Sequence, residues 1–248
     1  VAPGRPFRVG VRFAPEQGWH LYWKNPGDSG LAPRISWSVP GNASAGGLEW
    51  PFPERIPFGP LVNFGYKKSV ILFSRFQLSS NAEDRVTISA HAEWVVCREE
   101  CIASEGDLQT GLQVSPKGEW APSEWKAEFD QAEKDVPEPL DWVTAKASAD
   151  QQDLILDLES KGPPFPAGTL TFFPANRRLI DLSSEQRIEK SDAHLRFVMK
   201  RASAAKRTPS QFAGVLIGDH EWVSNSGRRA ITIDTPLQTA DKDAAPFG

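Results

Sequence analysis

Sulfur is scarce in this sequence, whose 248 residues include two cysteines and one methionine. Two cysteines cannot form a framework of several disulfides or a four-thiolate zinc centre, and the lone Met199 excludes a Met-rich copper site. Long apolar runs are also missing. The longest, at residues 70–73 and 215–217, fall far short of the roughly 20 residues that cross a bilayer, so no span and no membrane contact by this chain itself is expected. Positive charge is neither abundant nor gathered: 28 Lys and Arg stand against 32 Asp and Glu, net -4. A nucleic-acid partner, which draws on a dense basic patch, is therefore not expected. Val1 stands where an initiator Met would be, and no signal peptide precedes it. The expectation is a processed chain or a piece of something longer, with residues 237–248 as a linker-like tail.

Aromatics and turn residues are plentiful. Nine Trp and fourteen Phe supply rigid apolar anchors, while 21 Pro and 19 Gly without any period point to many turns and short strands. At about 100 to 200 residues per domain the length suits two modest domains or one large one. Residues 5–13 alternate, with Phe7, Val9, Val11 and Phe13 on one face, which reads as a half-buried strand. An aromatic strand at residues 18–24 runs into an Asn25-Pro26-Gly27 turn, and residues 34–39 alternate again. Residues 50–60 hold too many prolines for a central strand and are placed as an irregular or edge segment. Residues 70–78, 86–97 and 108–114 complete the first set of strands. Ser123 can cap a helix whose apolar positions are Trp125, Phe129, Ala132 and Val136, ended by Pro137. Further strands follow at 154–158, 169–173, 195–200, 212–217 and 230–233. The fold expected is all-β: two immunoglobulin-like sandwiches, residues 1–118 and 140–236, joined by a helical linker at 119–139.

Cys97 and Cys101 are separated by Arg98, Glu99 and Glu100. Three readings compete: a structural disulfide, half of a metal site, and a redox-active dithiol. Closing so small a ring contributes only about 2 kcal/mol, against nearly 5 for a 100-residue loop, so a staple placed for stability would span more chain. If residues 98–100 form a tight hairpin loop, the two cysteines face each other on antiparallel strands, at a separation that suits a disulfide. Glu99 and Glu100 disfavour a thiolate and Arg98 favours it. His91, six positions back on the same strand, lies roughly 20 Å from Cys97 and cannot serve as its base. His20, His194 and His220 show no ligand spacing and read as polar surface histidines. No metal and no cofactor is expected from these residues, and copper(I) would have to be held by the two thiolates almost alone.

Gly18-Trp-His-Leu-Tyr-Trp-Lys-Asn-Pro-Gly-Asp-Ser-Gly-Leu31, Trp50-Pro-Phe-Pro, Phe64-Gly-Tyr66 and Glu93-Trp-Val-Val-Cys-Arg-Glu-Glu-Cys101 together resemble the periplasmic N-terminal region of the DsbD/ScsB thiol:disulfide interchange proteins. The resemblance covers residues 1 to about 118, and the three-residue cysteine spacing is closest to the ScsB-type branch. It implies a periplasmic location and a protein-disulfide reductase activity without a cofactor. Electrons would come from thioredoxin-like and transmembrane domains of the same membrane protein and pass to thioredoxin-like partners. By resemblance, Cys101 forms mixed disulfides, Cys97 resolves them, and Phe64 and Tyr66 lie in a cap that shields the pair; a core position is the competing reading for Phe64. The ScsB-type branch is further linked to copper tolerance. The rival function is a non-catalytic binding sandwich in which the cysteines form an inert staple. The second block, without cysteine, is expected to act as a scaffold or docking domain.

Overall fold

A computed structural model of the chain describes residues 1–80, 82, 84–115, 123–203 and 208–239. Residues 119–122 and 240–248, expected as linker and tail, lie outside that set. The chain divides into two compact units. The first comprises residues 1–26, 30–54 and 64–136; the second comprises 27–29, 55–63 and 137–248.

Along the first part run β1 (Phe7–Phe13), β2 (His20–Gly27), β3 (Arg34–Ser38), β4 (Ala43–Glu49), β5 (Glu54–Phe58), β6 (Leu61–Tyr66), β7 (Val70–Leu78), β8 (Arg85–Cys97) and β9 (Cys101–Gln113), followed by the helix α1 (Lys126–Lys134). One sheet has the order β1-β7-β4, and the other runs β3-β8-β2-β6-β5 with β9 added against β8. Alternation decides which side chains meet between them. Val9 of β1, Phe76 and Leu78 of β7, Val86 and Ile88 of β8, and Val114 form one buried cluster. This is the sandwich that the periodicity of residues 5–13, 70–78 and 86–97 implies.

Two local expectations need correcting, at residues 25–27 and at the start of α1, while the Pro-rich segment keeps the edge position expected of it. β2 continues through Asn25, Pro26 and Gly27, with φ +86 at Gly27, and the chain turns only beyond it. Asn25 is buried there, so that segment belongs to the strand rather than to a surface turn. Within the Pro-rich segment, Glu54–Phe58 does form a strand, but at the sheet edge, where the missing N–H of Pro57 breaks no ladder. The residue before α1 is Trp125, with no side-chain cap; Ser123 contributes only its carbonyl, which accepts from Lys126 N at 3.1 Å. The apolar stripe survives in part: Phe129 and Ala132 pack on Ile71, Phe73 and Val136, while Trp125 is exposed.

The second unit contains β10 (Val143–Ala149), β11 (Asp153–Ser160), β12 (Leu170–Pro174), β13 (Arg187–Lys190), β14 (His194–Lys200), β15 (Gln211–Gly218) and β16 (Ala230–Thr239), ordered β12-β15-β16-β10-β11-β14-β13. β16 pairs with β15 through residues 230–236 and then runs parallel to β10 through 237–239, linking two halves of the sheet. Leu154, Leu156 and Leu158 of β11 and Leu195, Phe197 and Met199 of β14 point inward at alternate positions. Both units are thus β-sandwiches of immunoglobulin-like type.

Candidate functional site

The β8–β9 hairpin carries the cysteines. Its register runs unbroken from Arg85↔Gln113 to Cys97↔Cys101, and residues 98–100 close it with Arg98 N donating to Glu100 O at 3.1 Å. The cysteines therefore face each other at the hairpin end, 4.1 Å apart at Cα, and form a disulfide. The Arg98 guanidinium lies over the Trp19 ring, 5.3 Å from its centroid, and ties the loop to the chain just before β2.

The two sulfurs have different surroundings. Cys97 is 0% exposed, whereas Cys101 is exposed. β2 makes the difference: it pairs with the end of β8, His20 opposite Cys97 and Leu21 opposite Val96. His20, expected as a surface histidine, is buried, and its ring meets the Tyr22 ring edge-on at 5.0 Å. Burial first, then the positive charge of Lys67, holds its pKa below the ordinary histidine value, so the imidazole beside Cys97 is neutral at pH 7. Tyr22, on the same face as His20, brings its hydroxyl to 3.8 Å from Cys101 Sγ. Sequence reasoning assigns neither residue to the cysteine site and reads His20 as a surface histidine. The available signal was the alternation of His20, Tyr22 and Lys24 in a strand adjacent to the cysteine strand, which needs the pairing to be known.

β2 is held in place from its other side. At Gly65 of β6 a Cβ would overlap the Leu21 carbonyl, and at Gly30, with φ +87, it would overlap the Tyr22 ring. Glycine is required at both positions by close approach. Phe64 and Tyr66 flank Gly65 and are both buried. The Phe64 ring meets Trp23 edge-on at 6.4 Å, and the Tyr66 hydroxyl donates to the Pro51 carbonyl at 2.7 Å. Burial raises the Tyr66 phenol well above its ordinary pKa. His91 lies on the exposed face, with Nδ1 2.8 Å from Asp107 Oδ1, and Met199 is in the core of the second unit. The described residues contain no group of three or more His, Cys, Asp or Glu side chains that could hold a metal ion, and no helix among them is long and apolar enough to cross a membrane.

Against known families, residues 1–113 match the model for the N-terminal domain of the thiol:disulfide interchange protein DsbD. The crystal structure of the N-terminal periplasmic domain of ScsB from Proteus mirabilis matches 96% of this chain and 91% of its own, with a TM-score of 0.67 at 18% identity. That likeness shows a common fold across both sandwiches. No curated protein matches the sequence. The match to the DsbD N-terminal model and a cysteine pair joined at a hairpin end together support a thiol-disulfide exchange module in general.

The Tyr22 hydroxyl can donate to a thiolate on Cys101 once the disulfide is opened. A hydrogen bond to a charged acceptor contributes about 1.5–3 kcal/mol. Reduced Tyr22→Phe should therefore lose about tenfold in the rate at which iodoacetamide alkylates Cys101 at pH 7. A rate equal to that of the unsubstituted chain would remove Tyr22 from the site.

Proposed function

We propose that this chain is a periplasmic electron-transfer module of a larger membrane reductase, and that the Cys97/Cys101 dithiol passes electrons from thioredoxin-like and transmembrane domains of that protein to the disulfides of partner proteins. The observation that carries this reading is the unequal exposure of the two cysteine residues within one disulfide of a domain that matches the DsbD N-terminal model. Exchange needs one sulfur that a partner can reach and a neighbour that can complete the reaction. In the direction proposed, the Cys101 thiolate attacks a partner disulfide, forming a mixed disulfide and expelling one partner thiolate, which takes up a proton. Cys97, deprotonated, then attacks Cys101 Sγ, re-forms the Cys97–Cys101 bond and releases the second partner thiolate. The partner leaves as a dithiol, and an incoming dithiol donor restores the pair by the reverse sequence. Buried His20 opposite Cys97 is placed to handle the proton of the resolving thiol. The second sandwich, without cysteine, serves as scaffold or docking surface.

A redox titration tests the reading. An exchanging pair should equilibrate with thioredoxin-like dithiols, near about -270 mV or above, whereas an inert staple lies below about -300 mV. A potential in the lower range would favour the binding-module reading.

A further inference from the structure

We propose that the outer edge of β9 and the apolar groove beside it form a docking rail for an extended segment of the exchange partner, the stretch that flanks its reactive cysteine. This rests on the exchange reading above and adds how the partner is recognised.

β9 is 13 residues long, and among the described residues it pairs with β8 alone, so its other side is a sheet edge. Edges of that length present a row of backbone donors and acceptors that pair readily with another extended chain, and natural sheets commonly shorten them or break them with proline. This edge has no proline. The amino terminus covers one end of it, where the Val1 ammonium donates to Gln113 O. The open end begins at Cys101.

The side chains around that edge agree with an extended occupant. Val96 stands opposite Ile102 and Trp94 opposite Ser104, on the face of the hairpin away from the disulfide. Beside them, Phe13, Leu21, Ala92, Trp94, Val96 and Leu108 line a groove of about 200 Å³. The Phe13 and Trp94 rings meet edge-on at 5.5 Å and form its wall. Ile102, next to the reactive sulfur, and Leu108, farther along the same strand, are 44% and 45% exposed, large apolar side chains left in water. From Ile102 to Leu108 is six residues, about 20 Å of strand, which an extended segment of equal length would cover with alternate side chains toward the groove. The rail is continuous with the sulfur that exchange requires: Ile102 follows Cys101 directly, and Val96 precedes Cys97. A partner bound by backbone pairing and a few apolar contacts can vary in sequence, as a module serving several disulfide proteins requires.

The test uses the full chain as Cys97→Ser, so that Cys101 is its one thiol, and three eight-residue peptides whose terminal cysteine carries 5-thio-2-nitrobenzoate in disulfide linkage. The Cys101 thiolate attacks the peptide sulfur, the peptide becomes disulfide-linked to Cys101, and the thionitrobenzoate leaves as a coloured thiolate. In the first peptide valine alternates with threonine after the cysteine. The second has serine for valine. The third repeats the first with alternate backbone nitrogens methylated, which blocks pairing with an edge strand. The same disulfide on N-acetylcysteine amide is the reference. The first peptide should react about tenfold faster than the other two, since burying even part of one apolar side chain is enough for that ratio. Ile102→Ser and Leu108→Ser should abolish its advantage over the serine peptide without changing the reference rate. Equal rates for all three peptides, with a normal reference rate, would overturn the rail and leave exchange standing. A Cys101 that fails to react even with the reference would overturn the exchange reading itself.

Discussion

A reduced Cys97→Ser variant, mixed with a thioredoxin-like protein whose resolving cysteine is serine and whose remaining cysteine carries 5-thio-2-nitrobenzoate in disulfide linkage, should accumulate a covalent complex that resists boiling in detergent and disappears with dithiothreitol, while Cys101→Ser should accumulate none. The asymmetry follows from where β2 lies. It covers the end of β8 through the His20–Cys97 and Leu21–Val96 pairs, leaving Cys97 without solvent contact, while Cys101 starts an edge strand with its side chain exposed. An in-line attack needs a partner sulfur in contact with the reacting sulfur, and only Cys101 offers that approach without opening β2. In the unsubstituted chain Cys97 is positioned to attack the mixed disulfide at once, so no complex should build up. Serine at position 97 keeps nearly the size of the side chain and removes the thiol proposed to resolve the mixed disulfide. The effect is close to all-or-none on a non-reducing gel. Complexes forming only with Cys101→Ser would reverse the roles, and none with either variant would leave the disulfide as a staple.

How much of this was legible beforehand depends on which interactions define each element. β1, β3 and β8 alternate apolar and polar residues because one face of each lies on the sandwich core, and that period is written in the sequence, while β7, central in its sheet, opens on the unbroken apolar run of residues 70–73. β9 was expected only from residue 108, yet it starts at Cys101. Apart from Ile102, residues 101–107 are small, polar or acidic, and all seven bury almost nothing, so what makes them a strand is backbone pairing with β8, to which hydrophobic periodicity is blind. β4 escaped for a similar reason: Gly46 and Gly47 sit at an irregularity in its pairing with β7, between Ala45 and Leu48. The cysteines stood out by rarity, and their cross-strand pairing followed once a hairpin loop was assumed. His20 and Tyr22 did not. Both lie about 80 residues before the cysteines they approach, in a strand rich in aromatics, where a buried imidazole looks the same on paper as a surface one. The cap segment marks the same limit. Its aromatics are recognisable by type, but which surface they cover depends on how β6 lies against β2.

Phe64→Ala separates the two readings of that segment, and the expected result is a large loss of stability. Phe64 is 1% exposed, its ring packs edge-on to Trp23, and it adjoins Gly65, where the backbone of β6 comes close enough to the Leu21 carbonyl to exclude a side chain. Truncating a phenylalanine in such a setting removes its transfer free energy and leaves a cavity that close packing cannot refill, a cost of about 3–5 kcal/mol. Phe64→Leu retains most of the volume and should cost less than about 1.5 kcal/mol. Urea unfolding of the two variants beside the unsubstituted chain gives the comparison, with the rate of disulfide reduction by dithiothreitol measured on the same samples below the unfolding transition. A side chain acting only as a lid over the sulfurs would give the opposite pattern: faster reduction in Phe64→Ala with unfolding almost unmoved. If the core setting governs, the stability loss comes first, and any acceleration of reduction arises because β2, carrying His20 and Tyr22, has lost support on its far side. Phe64→Leu distinguishes these routes, since it should restore both stability and slow reduction if packing is the cause, but should leave a lid partly open.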